Sequence, residues 1–308
     1  MSWKFELVAG PYGSPLDGIV WDGEALLFTQ QVFPRADEER NPPENRILRY
    51  DPKGGAVTDF RRWTNRTVGL ARSAAGTLYG CQSVGRRVVR FNADGSTEVL
   101  AHKLGGLYHN MPEKLIVDSR GRIWVTDPHG DLREVSHPQI HDKLDHASIL
   151  RMDAPPSIAS QLRRMTYDTD APAALALSKD ERTLYVSENG PGTGGTRELR
   201  AYPVLDDGTL GPHVVLHTFG ADRRGPHLGV TGMCLDSEGN IVATAGWSRS
   251  GPGSAVMVFS PQGLVLESHP VPASRPTNCA FGDPGLGALY VTTSEGHLFR
   301  ARGTGRKG

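Results

Sequence analysis

The sequence predicts an all-β protein, a six-bladed β-propeller with four-stranded blades. One pattern occurs six times in 308 residues: an apolar run, a polar turn, and a second apolar run rich in β-forming residues. By subtraction, the copies start 45 to 60 residues apart, at Gly18, Gly69, Lys114, Ala174, Gly232 and Cys279. Four short strands at this period are typical of propeller blades, whose radial packing buries the sheet faces and leaves only short edges.

Each repeat supplies its strands in the same order. The first two strands are "GIVWDGEALLFTQ", "GLARSAAGTLYGCQ", "KLIVDSRGRIWVTDP", "ALALSKDERTLYVSE", "GMCLDSEGNIVATAG" and "CAFGDPGLGALYVTTS". A third strand follows, as in "NRILRYDP" and "RRVVRFNADG", and several repeats continue into a fourth, such as "AVTDFRRW". A sandwich of six hairpins is the alternative, but sandwiches seldom keep so regular a period.

The N-terminal stretch "WKFELVAG" alternates like a strand and has no place in the first repeat. The sixth repeat lacks an obvious fourth strand, because the chain ends in "GTGRKG". We therefore expect the N-terminal strand to complete the last blade and close the ring, so that residues 1–308 form a single domain.

The composition of the chain indicates which kinds of binding partner to expect. The chain has 34 basic and 34 acidic residues, and this balance argues against a nucleic-acid or membrane-surface partner. No stretch is long and apolar enough to span a bilayer, and the start "MSWKFELVAG" lacks a signal-peptide pattern. The three cysteines are widely separated and suit free thiols in a reducing cytoplasm. We expect a cytoplasmic protein with a small-molecule substrate; nothing in the sequence indicates an oligomeric state.

The long loops are expected on one rim of the propeller. The first strand of each blade lines the central channel, so the loops before first and third strands share a rim. These predicted loops are 31–45, 60–68, 101–113, 128–147, 154–173, 189–196, 219–231 and 246–254. Long loops on one face of a rigid scaffold usually carry function. Within them, 35–45 predicts either a lid or a disordered loop, and 136–146 a surface loop or short helix.

The residues that precede the six first strands should form a ring at the channel mouth. They are Asp17, Val68, Glu113, Ala173, Thr231 and Asn278. Glu113 is thus placed to face a ligand, whereas Lys114 should point away unless the strand start is irregular. Asp17 and Asn278 have a structural alternative as turn residues, and Glu113 with Lys114 as an exposed ion pair. Convergence on one rim favours a functional site.

The repeats and their flanks resemble the SMP-30/gluconolactonase/luciferin-regenerating family over nearly the whole chain. The strongest segments are "NRILRYDP", "GRRVVRFNADGSTEVLA", "HNMPEKLIVDSRGRIWVTDP", "ALALSKDERTLYVSEN", "GMCLDSEGNIVATAGW" and "PTNCAFGD". The resemblance implies a six-bladed propeller that hydrolyses sugar lactones with one divalent cation (calcium, zinc or another) at the channel mouth.

The resemblance also implies cation ligands at three positions, and this chain departs from the pattern there. Asp17 replaces a family Glu, Ala173 an Asn and Thr231 an Asp, while Glu113-Lys114 replaces an Asn-Asp pair. Asp17 and Glu113 remain as candidate metal ligands. Calcium takes about six to eight oxygen ligands, and a neighbouring ammonium opposes any cation.

Three functions stay open. The first is a lactone or ester hydrolase, in which a metal polarises the carbonyl or, without metal, Glu113 acts as general base and a cationic group stabilises the oxyanion. Its candidate residues are Glu113, Lys114 and His129 for catalysis, and His109, Asn110, His227, Thr231 and Asn278 for substrate binding. The second is a metal-independent propeller enzyme repurposed for isomerisation, dehydration or cyclisation. The third is a non-catalytic binding propeller.

Overall fold

The computed structural model describes residues 2–33, 44–100, 102–130, 144–192 and 194–308. Six four-stranded antiparallel sheets form the blades, which confirms the predicted six-bladed propeller. No helix in these described ranges has the length and apolar character needed to cross a membrane.

The blades follow one another along the chain. Blade one contains β2 (Leu16–Trp21), β3 (Leu26–Gln30), β4 (Arg46–Tyr50) and β5 (Val57–Arg62). Blade two contains β6 (Thr67–Arg72), β7 (Leu78–Gln82), β8 (Arg87–Phe91) and β9 (Thr97–Val99). Blade three contains β12 (Leu115–Val117), β13 (Ile123–Asp127), β14 (Ser148–Met152) and β15 (Leu162–Arg164).

The second half of the ring repeats this arrangement. Blade four contains β16 (Pro172–Leu177), β17 (Thr183–Asn189), β18 (Arg197–Pro203) and β19 (Val214–Thr218). Blade five contains β22 (Val230–Leu235), β23 (Ile241–Trp247), β24 (Ser250–Phe259) and β25 (Val265–Pro270). Blade six contains β26 (Pro276–Gly282), β27 (Ala288–Thr293), β28 (Leu298–Arg302) and, as its outer strand, β1 (Phe5–Ala9).

The pairing of β1 with β28 closes the ring as the sequence predicted, with Phe5 opposite Ala301. The first strands of successive blades contact one another, and β26 of blade six contacts β2 of blade one. In a closed ring of six, blade three therefore stands opposite blade six, and blade one opposite blade four.

Apolar side chains fill the space between each pair of neighbouring blades. Six buried clusters lie at the six interfaces, for example Tyr79 and Val88 of blade two against Val125 and Leu150 of blade three. Alternation along each strand explains this arrangement, because every blade must bury both faces against its neighbours.

Several predicted loops differ from expectation. Segment 154–173 is not one rim loop, because β15 lies inside it and 153–161 joins the third to the fourth strand on the opposite rim. Segment 246–254 is mainly strand, since β23 and β24 meet in a tight turn. Short hairpins lie in 101–113, β10 (Lys103–Leu104) with β11 (Leu107–Tyr108), and in 219–231, β20 (Ala221–Asp222) with β21 (Gly225–Pro226). The interpretations of 35–45 and 136–146 fall mostly outside the described residues.

Candidate functional site

A cavity of about 630 Å³ opens on the rim that carries the long loops. All six blades contribute to its wall, and five predicted ring residues line it: Asp17, Val68, Glu113, Ala173 and Thr231. A second cavity of about 350 Å³ lies deeper in the channel, between the first strands, and is lined by the sixth ring residue, Asn278. Lys114 lines both, so it stands at the boundary between this upper cavity and the lower one.

An irregular strand start explains why adjacent residues both line the upper cavity. Glu113 N donates to Thr126 O at 3.1 Å, while Thr126 N donates to Lys114 O at 2.9 Å. Two residues thus oppose one, which is a β-bulge, and a bulge releases neighbouring side chains from strict alternation. The expectation that Lys114 points away from the channel holds only for a regular strand and fails here.

The bulge recurs around the ring. Register shifts occur at the start of the first strand in the other five blades, for example between Pro172 and Ala174 in blade four. The strand starts approach closely: a β-carbon added to Gly69 would lie 2.2 Å from Glu113 O. Glycine at this position therefore lets the backbone of blade three come close to blade two and fixes the position of Glu113.

A buried ion pair forms the floor of the upper cavity. Lys114 Nζ binds Asp17 Oδ2, and each side chain is 10% exposed. Asp17 Oδ1 accepts hydrogen bonds from Gly18 N at 2.7 Å and from Asn278 Nδ2 at 3.1 Å. Both carboxylate oxygens of Asp17 are thus occupied, and the lysine ammonium is held at a fixed place facing the cavity.

Glu113 places a half-buried carboxyl group on the wall of the upper cavity. Within the described residues, its carboxyl makes no hydrogen bond or ion pair. Burial raises the pKa of Glu113 above its usual range, and the Asp17 carboxylate adds to the rise, while Lys114, Arg275 and Arg66 oppose it. A carboxylate with a raised pKa is a stronger proton acceptor than a solvated one, which suits a general base.

The donor set does not fit a divalent cation. Ala173 offers no ligand atom, and the Thr231 hydroxyl donates to Pro276 O at 2.8 Å and contacts Thr244 Oγ1 at 3.0 Å. The oxygens of Asp17 already serve Lys114, Gly18 and Asn278. Among the residues described, no three His, Cys, Asp or Glu side chains converge as a metal site. Hard cations such as calcium require several free oxygens at one point.

Two predicted substrate contacts lie behind the cavity wall. His109 is fully buried, with Nδ1 3.6 Å from Asp127 Oδ1, and its carbonyl accepts from Arg86 Nε at 2.6 Å. Asn110 N donates to Asp127 Oδ2 at 2.8 Å, and Asn110 Nδ2 donates to His146 O at 3.0 Å. Neither residue lines the cavity; both anchor the segment that leads into Met111, which does.

The two other predicted histidines, His129 and His227, line different cavities. His129 is exposed and lines the upper cavity. His227 lines a different pocket of about 110 Å³ beside blade five, with Nε2 3.9 Å from Asp222 Oδ2. The structure therefore brings Asp17, Glu113, Lys114, Thr231 and His129 to one cavity and leaves His227 outside it.

Three charged residues of the cavity were absent from the sequence-based set. Arg66, Asp170 and Arg275 all line it. Each lies two or three positions before a ring residue, so extending the alignment of the six repeats backwards by three residues would have found them. The Arg66 guanidinium also lies over the Phe33 ring, 4.3 Å from its centroid.

A buried carboxyl supports one part of the wall. Glu188 Oε1 accepts hydrogen bonds from Asp170 N at 3.1 Å and from Ala171 N, and both of those residues line the cavity. Burial raises the pKa of Glu188 to about 7, although these hydrogen bonds and Arg200 lower it. This wall is therefore held by a carboxyl that titrates near neutral pH.

Comparisons with known proteins point to one family. The family model described as "SMP-30/Gluconolactonase/LRE-like region" matches residues 17–295. A 6-deoxy-6-sulfogluconolactonase of Pseudomonas putida is 28% identical over 250 residues, 81% of this chain and 76% of the relative.

Two of the solved structures that resemble this fold carry descriptions of their activity or ligand. A gluconolactonase of Xanthomonas campestris superimposes with a TM-score of 0.77 at 28% identity, over 97% of this chain and 89% of its own. The calcium-binding protein regucalcin of Agrobacterium tumefaciens superimposes with a TM-score of 0.70 at 17% identity, over 97% and 93% of the two chains. The second likeness concerns the fold alone.

Proposed function

The chain belongs to the SMP-30/gluconolactonase/LRE-like family, and from this premise we propose that it hydrolyses a small lactone in the upper cavity. The observation that carries the proposal is the Glu113 carboxyl: it faces the cavity, its pKa is raised by burial, and it makes no ion pair or hydrogen bond within the described ranges. Such a group is available to take a proton from water.

The proposed reaction begins with a water between Glu113 and the lactone carbonyl. Glu113 removes a proton as the water oxygen bonds to the carbonyl carbon, and the carbonyl oxygen becomes an oxyanion. When the intermediate collapses, the ring C–O bond breaks, and the leaving alkoxide takes the proton back from Glu113. The product is the open-chain hydroxy acid, and the carboxylate of Glu113 is regenerated.

Lys114 is the proposed partner for the oxyanion. An ammonium has three N–H donors, and its hydrogen bond to Asp17 leaves others for a cavity ligand. A positive charge held in place by Asp17 needs no reorganisation when the oxyanion forms, which is how preorganised donors lower a barrier. His129 and Thr231 line the same cavity and are proposed as substrate contacts, with Asn278 acting through Asp17.

A divalent cation is the expectation from the family resemblance, but the residues present do not fit one. With Ala173 and Thr231 at two expected ligand positions and Asp17 bound to Lys114, too few free oxygens remain. We therefore assign no step to a metal and propose that the Lys114 ammonium supplies the fixed positive charge.

The relatives support a sugar-lactone substrate. The named activities of the Pseudomonas putida and Xanthomonas campestris proteins both concern gluconolactones. A cavity of about 630 Å³ falls within the range of about 300 to 1,000 Å³ usual for small-molecule sites.

A second candidate function is a proton-transfer reaction such as isomerisation, dehydration or cyclisation. A general base beside a fixed ammonium favours it, because the same pair can abstract a proton next to a carbonyl and stabilise the resulting enolate. Product mass separates the candidates, since hydrolysis adds one water, whereas isomerisation leaves the mass unchanged.

A panel of γ- and δ-lactones tests the proposal, with acid release followed by pH-stat before and after chelator treatment. We expect hydrolysis that survives chelation and falls at least about 100-fold in Glu113→Gln. Glu24→Gln is the matched control, because Glu24 is exposed in the turn between β2 and β3 on the opposite rim. Equal rates in wild type and Glu113→Gln would show that Glu113 is not the general base.

A further inference from the structure

An unpaired guanidinium stands at the rim of the upper cavity on blade six. Arg275 lines the cavity and is exposed. Its side chain makes no hydrogen bond, ion pair or ring contact with any residue that the structure describes. A guanidinium carries five N–H donors that suit carboxylate and phosphate oxygens, so one that faces a small-molecule cavity without a protein partner is a candidate ligand contact.

The backbone that carries this guanidinium is fixed on both sides. Arg275 O accepts from Ser294 N at 2.9 Å, and Ser274 O accepts from Ser248 N at 2.9 Å. The acid at this corner, Glu295, is occupied, since Oε1 accepts from Ser274 N at 2.5 Å and Oε2 from Ser294 Oγ at 3.1 Å. Within the described residues, Glu295 thus bonds to the loop backbone and to Ser294 and forms no ion pair with Arg275.

Arg275 faces the proposed base across the channel. Blade six stands opposite blade three, so Arg275 and Glu113 lie on opposite sides of the cavity. They do not form an ion pair, yet the positive charge of Arg275 lowers the pKa of Glu113. A ligand between them would have one end at Glu113 and Lys114 and the other at the guanidinium.

The rim charges are distributed unevenly. Arg66 on blade two and Arg275 on blade six flank blade one, whereas Asp170 lies on blade four, directly opposite blade one. One side of the cavity mouth is thus positive and the other negative. This asymmetry favours a ligand with a negative group at one end rather than a neutral, symmetric one.

We propose that Arg275 binds an oxyanionic group of the substrate, a carboxylate, phosphate or sulfonate, at the end remote from the reacting ester. The location of the ester rests on the proposed function, but anion binding by Arg275 does not. A guanidinium presents parallel N–H donors that match the oxygens of such a group and give charge-assisted hydrogen bonds.

Calorimetric binding of non-hydrolysable probes tests the inference without catalysis. Glucitol 6-phosphate should bind wild type about 10- to 100-fold more tightly than glucitol, and Arg275→Gln should abolish that difference. Arg275→Lys should retain part of it, because the charge remains and the fork is lost. Arg182→Gln, on the opposite rim, is the control and should match wild type.

Kinetics with paired lactones separate this inference from the proposed function. For a lactone with and without a remote phosphate, Arg275→Gln should lower kcat/KM about 10- to 100-fold for the anionic member only. Equal probe affinities in wild type and Arg275→Gln, or equal losses for both lactones, would overturn the inference. Arg275-dependent probe binding without hydrolysis of any lactone would overturn the proposed function and leave the anion site standing.

Discussion

Replacing Lys114 with methionine removes the ammonium that binds Asp17 and borders the cavity. The two side chains are each 10% exposed, so Asp17 would remain as a buried carboxylate without a counter-ion. Breaking a buried ion pair costs about 3 to 5 kcal/mol. Asp17 keeps hydrogen bonds from Gly18 N and Asn278 Nδ2, which places the expected loss at about 3 kcal/mol, or about 5 °C in Tm for a chain of 308 residues.

The same substitution should affect catalysis in two ways. Loss of the oxyanion donor should lower kcat by about 100- to 1,000-fold. Lys114 also lowers the pKa of Glu113, so its removal should raise that pKa further. Because the base acts when deprotonated, the acid limb of the rate profile should move to higher pH. Initial rates of lactone hydrolysis measured from about pH 5 to pH 9, together with thermal unfolding, report all three effects.

The double variant Asp17→Asn/Lys114→Met separates stability from chemistry. It removes both charges, so no unpaired carboxylate is left, and most of the lost stability should return. The rate should stay low, because the ammonium is still missing. A double variant with wild-type kcat/KM and an unshifted acid limb would refute the assigned role of Lys114.

Two other substitutions test the scaffold around the site. Gly69→Ala would place a β-carbon 2.2 Å from Glu113 O, so it should lower the free energy of unfolding by about 1 to 3 kcal/mol and reduce kcat. Gly287→Ala is the control, because nothing lies within 4 Å of a β-carbon added there, and it should change neither quantity. Equal stabilities of the two variants in chemical denaturation would contradict the close approach at Gly69. Glu188 is protonated in the folded state up to a pKa of about 7 but ionises near 4.5 when unfolded, so stability should fall as pH rises between these values, by about 3 kcal/mol. Glu188→Gln should flatten this dependence, and an unchanged pH profile of stability would contradict the raised pKa.

The fold was readable from sequence because each blade carries the same local signals. Alternating apolar residues and tight polar turns recur six times, and the unplaced strand at the N-terminus matched the strand missing from the last repeat. Because the signals are local and occur in every repeat, a strand with a weak signal in one repeat can be identified by alignment with the other repeats. Segment 154–173 was misjudged because β15 is only three residues long and gives almost no periodic signal.

The site was readable only in outline. Alignment of the repeats brought Asp17 and Glu113 to one opening, but regular alternation turned Lys114 away from it. The bulge opposite Thr126 turns the Lys114 side chain toward the cavity, and no residue pattern in blade three predicts that bulge. Loop position likewise suggested substrate binding for His109, whereas its packing against Asp127, a contact between separate segments, buries it behind the cavity wall.

Lactone hydrolysis by the metal-free protein decides whether Glu113 and Lys114 carry the reaction without a cation. The protein is treated with chelator, its metal content is measured by elemental analysis, and the initial rate is compared with that of Glu113→Gln and with protein resupplied with calcium or zinc. We expect the metal-free protein to keep its full rate and Glu113→Gln to lose it. A rate that vanishes with the metal and returns when it is resupplied would show that a cation, and not Lys114, supplies the positive charge.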